Sequence, residues 1–184
     1  MTEIRNPAAG QGSSQLAELA GKYLTFRLAA EEYGLEIIKV QEIIGLLPVT
    51  HVPRVPEYVR GVINLRGRII PTVDLRTKFG MERIADTEKT CIIVVEVGSP
   101  KGGKMNMGII VDEVAEVLDI AADELDHPPE FGTSVNMSFI LGVGIVKEGV
   151  KILLDIDRVL TTEEAKIVQS VAQQQQQMAQ GKAS

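Results

Sequence analysis

Apolar positions along this chain fall into short runs with the two-residue period of strands, separated by turn residues. Tyr23–Leu28 (YLTFRL) alternates, and Val59–Leu65 and Arg68–Val73 are β-rich runs joined by Arg66-Gly67, which predicts a hairpin turn. Thr90–Val97 is a continuous apolar strand and Gly98–Lys104 (GSPKGGK) a turn. Met107–Val111, Val143–Val146 and Val150–Leu154 complete the predicted strands. Helical signals are few. Lys39–Ile44 predicts a short helix-like link. Thr161-Thr162-Glu163-Glu164 predicts a capping box, with the Glu164 side chain reaching back to Thr161. Leu160, Ile167, Val168 and Val171 then continue one face of a C-terminal helix. The two ends lack such patterning. Residues 1–21 and the Gln-rich stretch 171–184 are expected to be flexible tails around a folded region 22–170, with a frayed helical turn near Gln15–Leu19.

The pattern echoes itself. Gly34-Leu-Glu-Ile-Ile-Lys-Val-Gln-Glu-Ile-Ile resembles Gly108-Ile-Ile-Val-Asp-Glu-Val-Ala-Glu-Val-Leu, with Val40 matching Val114 and Glu42 matching Glu116. A second echo aligns Gly61-Val62 with Gly142-Val143 and Asp74-Leu75 with Asp155-Ile156. Each Asp precedes a short helical segment that it can cap. The simplest expectation is a mainly β fold of two similar small β-barrels, one per half, since a barrel removes most exposed strand edges.

Composition narrows the function more than the fold. Aromatics make up only 4% of the chain, so Val, Ile and Leu must fill the core. The net charge of −6, without any run of Lys and Arg, argues against nucleic acid and against an anionic membrane surface. No apolar run is long enough for a membrane helix, and the N-terminus lacks the layout of a signal peptide. The lone Cys91 sits in the apolar run CIIVVEV and reads as a small buried hydrophobe. These features suit a reducing cytoplasm. Catalytic groups are scarce. His51 and His127 both lie beside prolines in predicted loops, and no Cys or His pair has zinc-ligand spacing. GSPKGGK lacks the Lys-Ser/Thr ending of a P-loop, and no nucleophile elbow is present. The expectation is a binding protein without enzymatic activity, cofactor or metal.

Three features suit binding. Pro48, Pro53 and Pro56 stiffen the connection 46–58. Arg66 stands at a hairpin tip, where its planar fork suits a carboxylate; it serves equally as a brace for its own turn. Val40, Ile43 and Ile44 cluster near Glu42 and read either as core or as an apolar groove between two lobes.

The blocks GVINLRGRIIPTVDLRTKFG (61–80), YGLEIIKVQEI (33–43), GIIVDEVAEVL (108–118) and ILLDIDRVL (152–160) resemble the CheW family of bacterial chemotaxis coupling proteins, in the family's order across about 22–165. The resemblance implies two intertwined SH3-like five-stranded β-barrel lobes with short connecting helices and a C-terminal helix. It implies an adaptor linking chemoreceptors to the regulatory domain of the histidine kinase CheA, with possible ring contacts to other CheW-like domains. Such an adaptor is cytoplasmic and recruited to membrane receptor arrays. Carried over by position, Val40, Ile43, Ile44, Gly108 and Val114 are expected at the receptor groove, and Glu42, Gly61 and Arg66 in kinase binding or coupling. The length is read as too short for a kinase, and the tail as too short for the receiver domain of a CheV-like protein. A CheW-like scaffold of an accessory pathway, controlling pili or second messengers, stays open.

Overall fold

The computed structural model describes residues 15–128 and 138–181; the expected tail residues 1–14 and 182–184 lie outside them. Eleven strands run β1 Gly21–Leu28, β2 Glu31–Glu36, β3 Val40–Gly45, β4 Val59–Leu65, β5 Arg68–Asp74, β6 Cys91–Gly98, β7 Lys104–Val111, β8 Glu113–Ile120, β9 Leu125–Asp126, β10 Ile140–Val146 and β11 Gly149–Leu154. Helices α1 Leu75–Lys78, α2 Ile156–Val159 and α3 Thr162–Gly181 accompany them, and the expected helical turn before β1 is present over 15–18. The expected helix-like link is mostly strand. Only Ile37–Lys39 forms a 3-10 turn, and β3 begins at Val40 because that segment pairs with β6.

The strands form two sheets. One has the order β8-β1-β2-β11-β10-β9 and the other β3-β6-β7-β5-β4. The lobes are therefore not one per half. The β1–β2 hairpin of the first half inserts among strands of the second, and the β6–β7 hairpin of the second inserts among strands of the first. The insertions follow the echo in register. Gly34 meets Leu153 across the parallel β2–β11 pair, and Gly108 meets Thr72 across the parallel β7–β5 pair. Both hairpins β4–β5 and β10–β11 shift register at the echoed glycine, Gly61 or Gly142. Asp74 and Asp155 cap α1 and α2, as expected.

Hydrogen bonds do not close either sheet into a barrel among the described residues. β3 and β4 are opposite ends of the five-stranded sheet, and β9, at one end of the other, is two residues long. A strand so short has too few backbone groups to continue a ladder. Beyond β4, the Thr50–Val62 bridge ties the Pro-rich connection to the sheet.

Burial explains the sequence patterns. Ile63, Ile70, Ile92, Val94 and Ile110 fill the five-stranded lobe, and Tyr23, Ile120, Leu125 and Leu153 the six-stranded one. A larger core lies between the lobes and takes Phe26, Leu35, Val73, Ile93, Val95 and Ile109. Strand β6 thus has both faces buried, which accounts for its unbroken apolar run. A file of rings, Phe26–Tyr33–Phe79–Phe139, crosses this between-lobe core with centroid separations of 5.9, 5.9 and 5.0 Å.

The capping box of α3 forms as expected, with Thr161 N donating to Glu164 Oε1 at 2.9 Å and Glu164 N to Thr161 Oγ1 at 3.2 Å. The Gln-rich stretch departs from the expectation of a flexible tail, because α3 runs through Gln173–Gln177 to Gly181. Glutamine is a good helix former, and the helix has tertiary contacts to hold it. Val168 and Val171 are buried, the latter against Val52 and Val62. Gln176 Oε1 accepts the Ile69 N–H at 2.9 Å. Pairing between β5 and β7 begins only at Thr72. Gln176 thus supplies an acceptor on the part of β5 that has β4 on one side but no strand on the other.

Candidate functional site

Arg66 and Gly67 have φ of 52° and 85°, the left-handed pair that a two-residue hairpin turn requires. Asn64 Oδ1 accepts the Gly67 N–H at 2.9 Å and fixes the turn. Arg66 is therefore free of bracing its own turn. Its guanidinium reaches across to β3 and forks onto Glu42, with Nη1 donating to Oε2 at 3.0 Å and Nη2 to Oε1. The pair spans the open seam between the two end strands of the five-stranded sheet. Its Arg side chain remains 72% exposed, so further donors of the guanidinium face solvent.

Glu42 alternates along β3 with its apolar neighbours. Val40 and Ile44 are half-buried, while Ile43 is 43% exposed. The two half-buried residues separate: Val40 packs on the between-lobe core and Ile44 on the core inside the five-stranded lobe. Val114, the echo of Val40, packs on the between-lobe core from β8. Val40 pairs with Val95 on β6, and Val114 with Phe26 on β1. Of the residues expected at the groove, Val40 and Val114 sit on the rim of the between-lobe core, Ile43 pairs with Ile93 and shares the face of β3 that carries Val40, and Ile44 turns into the five-stranded lobe. Glu42 and Arg66, expected in kinase binding or coupling, meet along the seam of the five-stranded lobe.

The two glycines offer a partner no side chain, and packing explains them. A Cβ on Gly108 would stand 2.9 Å from Ile92 Cγ2 and 3.2 Å from Thr72 Cγ2 inside the sheet. Gly61 has φ of 147° and lies against the Thr50 carbonyl.

Sequence reasoning missed the polar ties that fix these surfaces. Arg76 on α1 donates to Asp112 through Nε (2.7 and 2.9 Å) and Nη2 (2.7 Å), and Ala29 N donates to Asp112 Oδ2 at 2.8 Å. Lys39 Nζ donates to Asp157 Oδ2 on α2, and Gly98 N to Oδ1, each at 2.8 Å. Arg60 bridges Asp74 and Asp86 at 2.5 and 2.8 Å. The partners are distant in sequence and share no motif spacing. One trace was readable: the echo sets Arg76 against Asp157, opposite charges at matched positions.

Burial alone would raise the carboxyl of Asp112, but the Arg76 guanidinium and the Ala29 N–H outweigh it and hold the group below its ordinary range. Burial is likewise outweighed at Asp157 by Lys39 and Gly98, and at Glu164 by Lys78 and Thr161. A lowered folded-state value means stability that is complete above the unfolded carboxylate range, near pH 4, and lost as pH falls through the folded values. Thermal unfolding should therefore give a Tm that is level from about pH 5 upward with respect to these groups and declines below about pH 4. In Asp112→Asn the acid-side decline should be shallower; an identical decline would remove Asp112 from this account.

Among the described residues no three His, Cys, Asp or Glu side chains converge as metal ligands would. No described helix is long and apolar enough to cross a membrane.

Comparison with known proteins agrees with this architecture. The family description "CheW-like domain" matches residues 22–164. The chemotaxis protein CheW of Klebsiella aerogenes is 38% identical over 166 residues, covering 88% of this chain and 97% of that one. CheW of Rhizobium meliloti is 33% identical over 141 residues, covering 77% and 88%. The crystal structure of the scaffolding protein TtCheW from Thermoanaerobacter tengcongensis superposes with a TM-score of 0.68 at 33% identity, covering 79% of this chain and 96% of that one. A family match across nearly the whole two-lobed region, with relatives aligned along most of their own length, means that this chain belongs to the CheW family.

Proposed function

We propose that this chain is a non-enzymatic adaptor that couples chemoreceptors to the histidine kinase CheA in a chemotaxis array. The receptor's cytoplasmic tip docks at the between-lobe rim beside Val40 and Val114. The regulatory domain of the kinase docks along the seam marked by Glu42 and Arg66, and further CheW-like domains extend the contacts into rings. The chain itself is cytoplasmic and reaches the membrane through the receptors. The observation that carries this reading is the division of the surface residues into two separate places on a body whose lobes share one core. Two partners bound to such a body can exchange a coupling free energy of about 1–3 kcal/mol. Avidity within an array allows each contact to be weak.

Kinase activation in reconstituted arrays of receptor, kinase and adaptor tests the assignment. Arg66→Ala should lower activation by roughly tenfold and leave the Tm nearly unchanged, as for an exposed ion pair. Exchanging the charges, Glu42→Arg with Arg66→Glu, re-forms the latch across the seam but moves the guanidinium. Activation should stay low if Arg66 meets the kinase. Full recovery would make Arg66 a brace of the lobe, and undiminished activation in Arg66→Ala would exclude it from coupling.

A further inference from the structure

The chain passes between lobes at two crossovers, and each leads straight into a rim residue. Residues 37–39 carry it from β2 in the six-stranded sheet to β3, which opens with Val40. Asp112 carries it from β7 in the five-stranded sheet to β8, in which Val114 is the second residue. Each crossover is tied at three stations: the crossover itself, a short helix, and the end of a hairpin strand. At the second crossover, Asp112 takes Arg76 of α1 and the Ala29 N–H that follows β1. At the first, Lys39 meets Asp157 of α2, which takes the Gly98 N–H at the end of β6. The stations are the same, but the charges are exchanged: the carboxylate lies on the crossover in one tie and on the helix in the other. In both cases the carboxylate also holds the hairpin end, so each tie reaches elements of both sheets.

We propose that Arg76–Asp112 and Lys39–Asp157 are a matched pair of clasps that position Val114 and Val40, and thereby set the affinity of the between-lobe rim for the helical receptor tip. The proposal rests on the adaptor reading for the identity of that ligand. The clasps do not touch the ligand; they are positioning residues. Their burial differs. The side chains of Arg76 and Asp112 are 13% and 19% exposed, against 37% and 35% for Lys39 and Asp157. Salt screens exposed charges more strongly, so the Lys39 clasp loosens first as ionic strength rises.

The experiment compares the full chain with Lys39→Met, Lys39→Arg and Arg76→Met. It measures affinity for a soluble receptor-tip hairpin, affinity for the kinase regulatory domain, and methyl NMR signals of Val40, Val114, Ile63 and Ile70. Lys39→Met should displace the Val40 methyl signals and weaken tip binding about five- to tenfold. Lys39→Arg, which keeps the charge, should restore both. Arg76→Met should displace Val114 and weaken the tip at least as much. Kinase-domain affinity should stay within about twofold, and Ile63 and Ile70, inside the five-stranded lobe, should not shift. Displaced Val40 or Val114 signals with unchanged tip affinity would overturn the proposal and leave the adaptor reading standing. Equal losses in Lys39→Met and Lys39→Arg would also overturn it. Failure of the unaltered chain to bind the tip would overturn the adaptor reading and this proposal with it.

Discussion

Gly61→Ala is expected to destabilise the chain by roughly 3 kcal/mol or more, combining overpacking with a backbone that L-residues rarely adopt. Gly61 has φ of 147°, and an added Cβ would overlap the Thr50 carbonyl oxygen. That carbonyl cannot easily retreat. Thr50 N donates to Val62 O at 2.8 Å and Val62 N to Thr50 O at 2.9 Å, the bridge that holds the Pro-rich connection against β4. Relief of the clash would break those bonds or shift the register at the β4–β5 bulge, moving the Arg66 turn. For a chain of this size the loss corresponds to a fall in Tm of about 6–12 °C. The echoed Gly142→Ala is the informative comparison. Its Cβ would stand 2.9 Å from Asp126 O, but no left-handed φ is required there, so its loss should be smaller. Equal effects in calorimetry would show that backbone conformation adds nothing at Gly61.

Val40→Glu should weaken binding of the receptor tip at least tenfold, a change of about 1.4 kcal/mol. Val40 opens β3 and packs, half-buried, on the between-lobe core. Replacing it removes part of the roughly 1.5–3 kcal/mol that burying such a side chain contributes. A carboxylate at the rim must also be desolvated when a partner covers it. The free protein should lose only about 1–2 kcal/mol, because the new side chain can still reach water. Glu42→Lys separates the two surfaces. Glu42 lies on the seam, where it holds Arg66, so this change should spare the tip and disturb the kinase domain. Tip affinity unchanged in a folded Val40→Glu chain would remove Val40 from the binding surface.

Local structure was readable where local chemistry decides it. The Arg66-Gly67 turn, the caps at Asp74 and Asp155, and the Thr161–Glu164 box all follow from residues within one turn of each other. The echo was readable too, and its glycines recur at matched places in the two sheets. The exchange of hairpins between halves was not. A repeat shows that two segments fold alike, but pairing within a half and pairing between halves satisfy the same pattern. Lys39–Ile44 was ambiguous for a related reason: its apolar residues suit a short helix, and only β6 beside it makes it a strand. The glutamine run misled because it has no apolar residues of its own, while its helix is held by Val168, Val171 and one side-chain bond to Ile69. At the candidate site the residue identities were legible, but their partition was not. Glu42 and Arg66 are brought together by tertiary structure, and Val40 and Val114 meet a core that no local pattern announces.

Simultaneous binding tests the central claim most directly. The purified chain would be saturated with a soluble receptor-tip hairpin and then titrated with the CheA regulatory domain, with complex mass followed by analytical ultracentrifugation. The account predicts a ternary complex with one copy of each component, because rim and seam are separate surfaces of one body. Mutual exclusion of the two partners, or absence of binding to either, would contradict it.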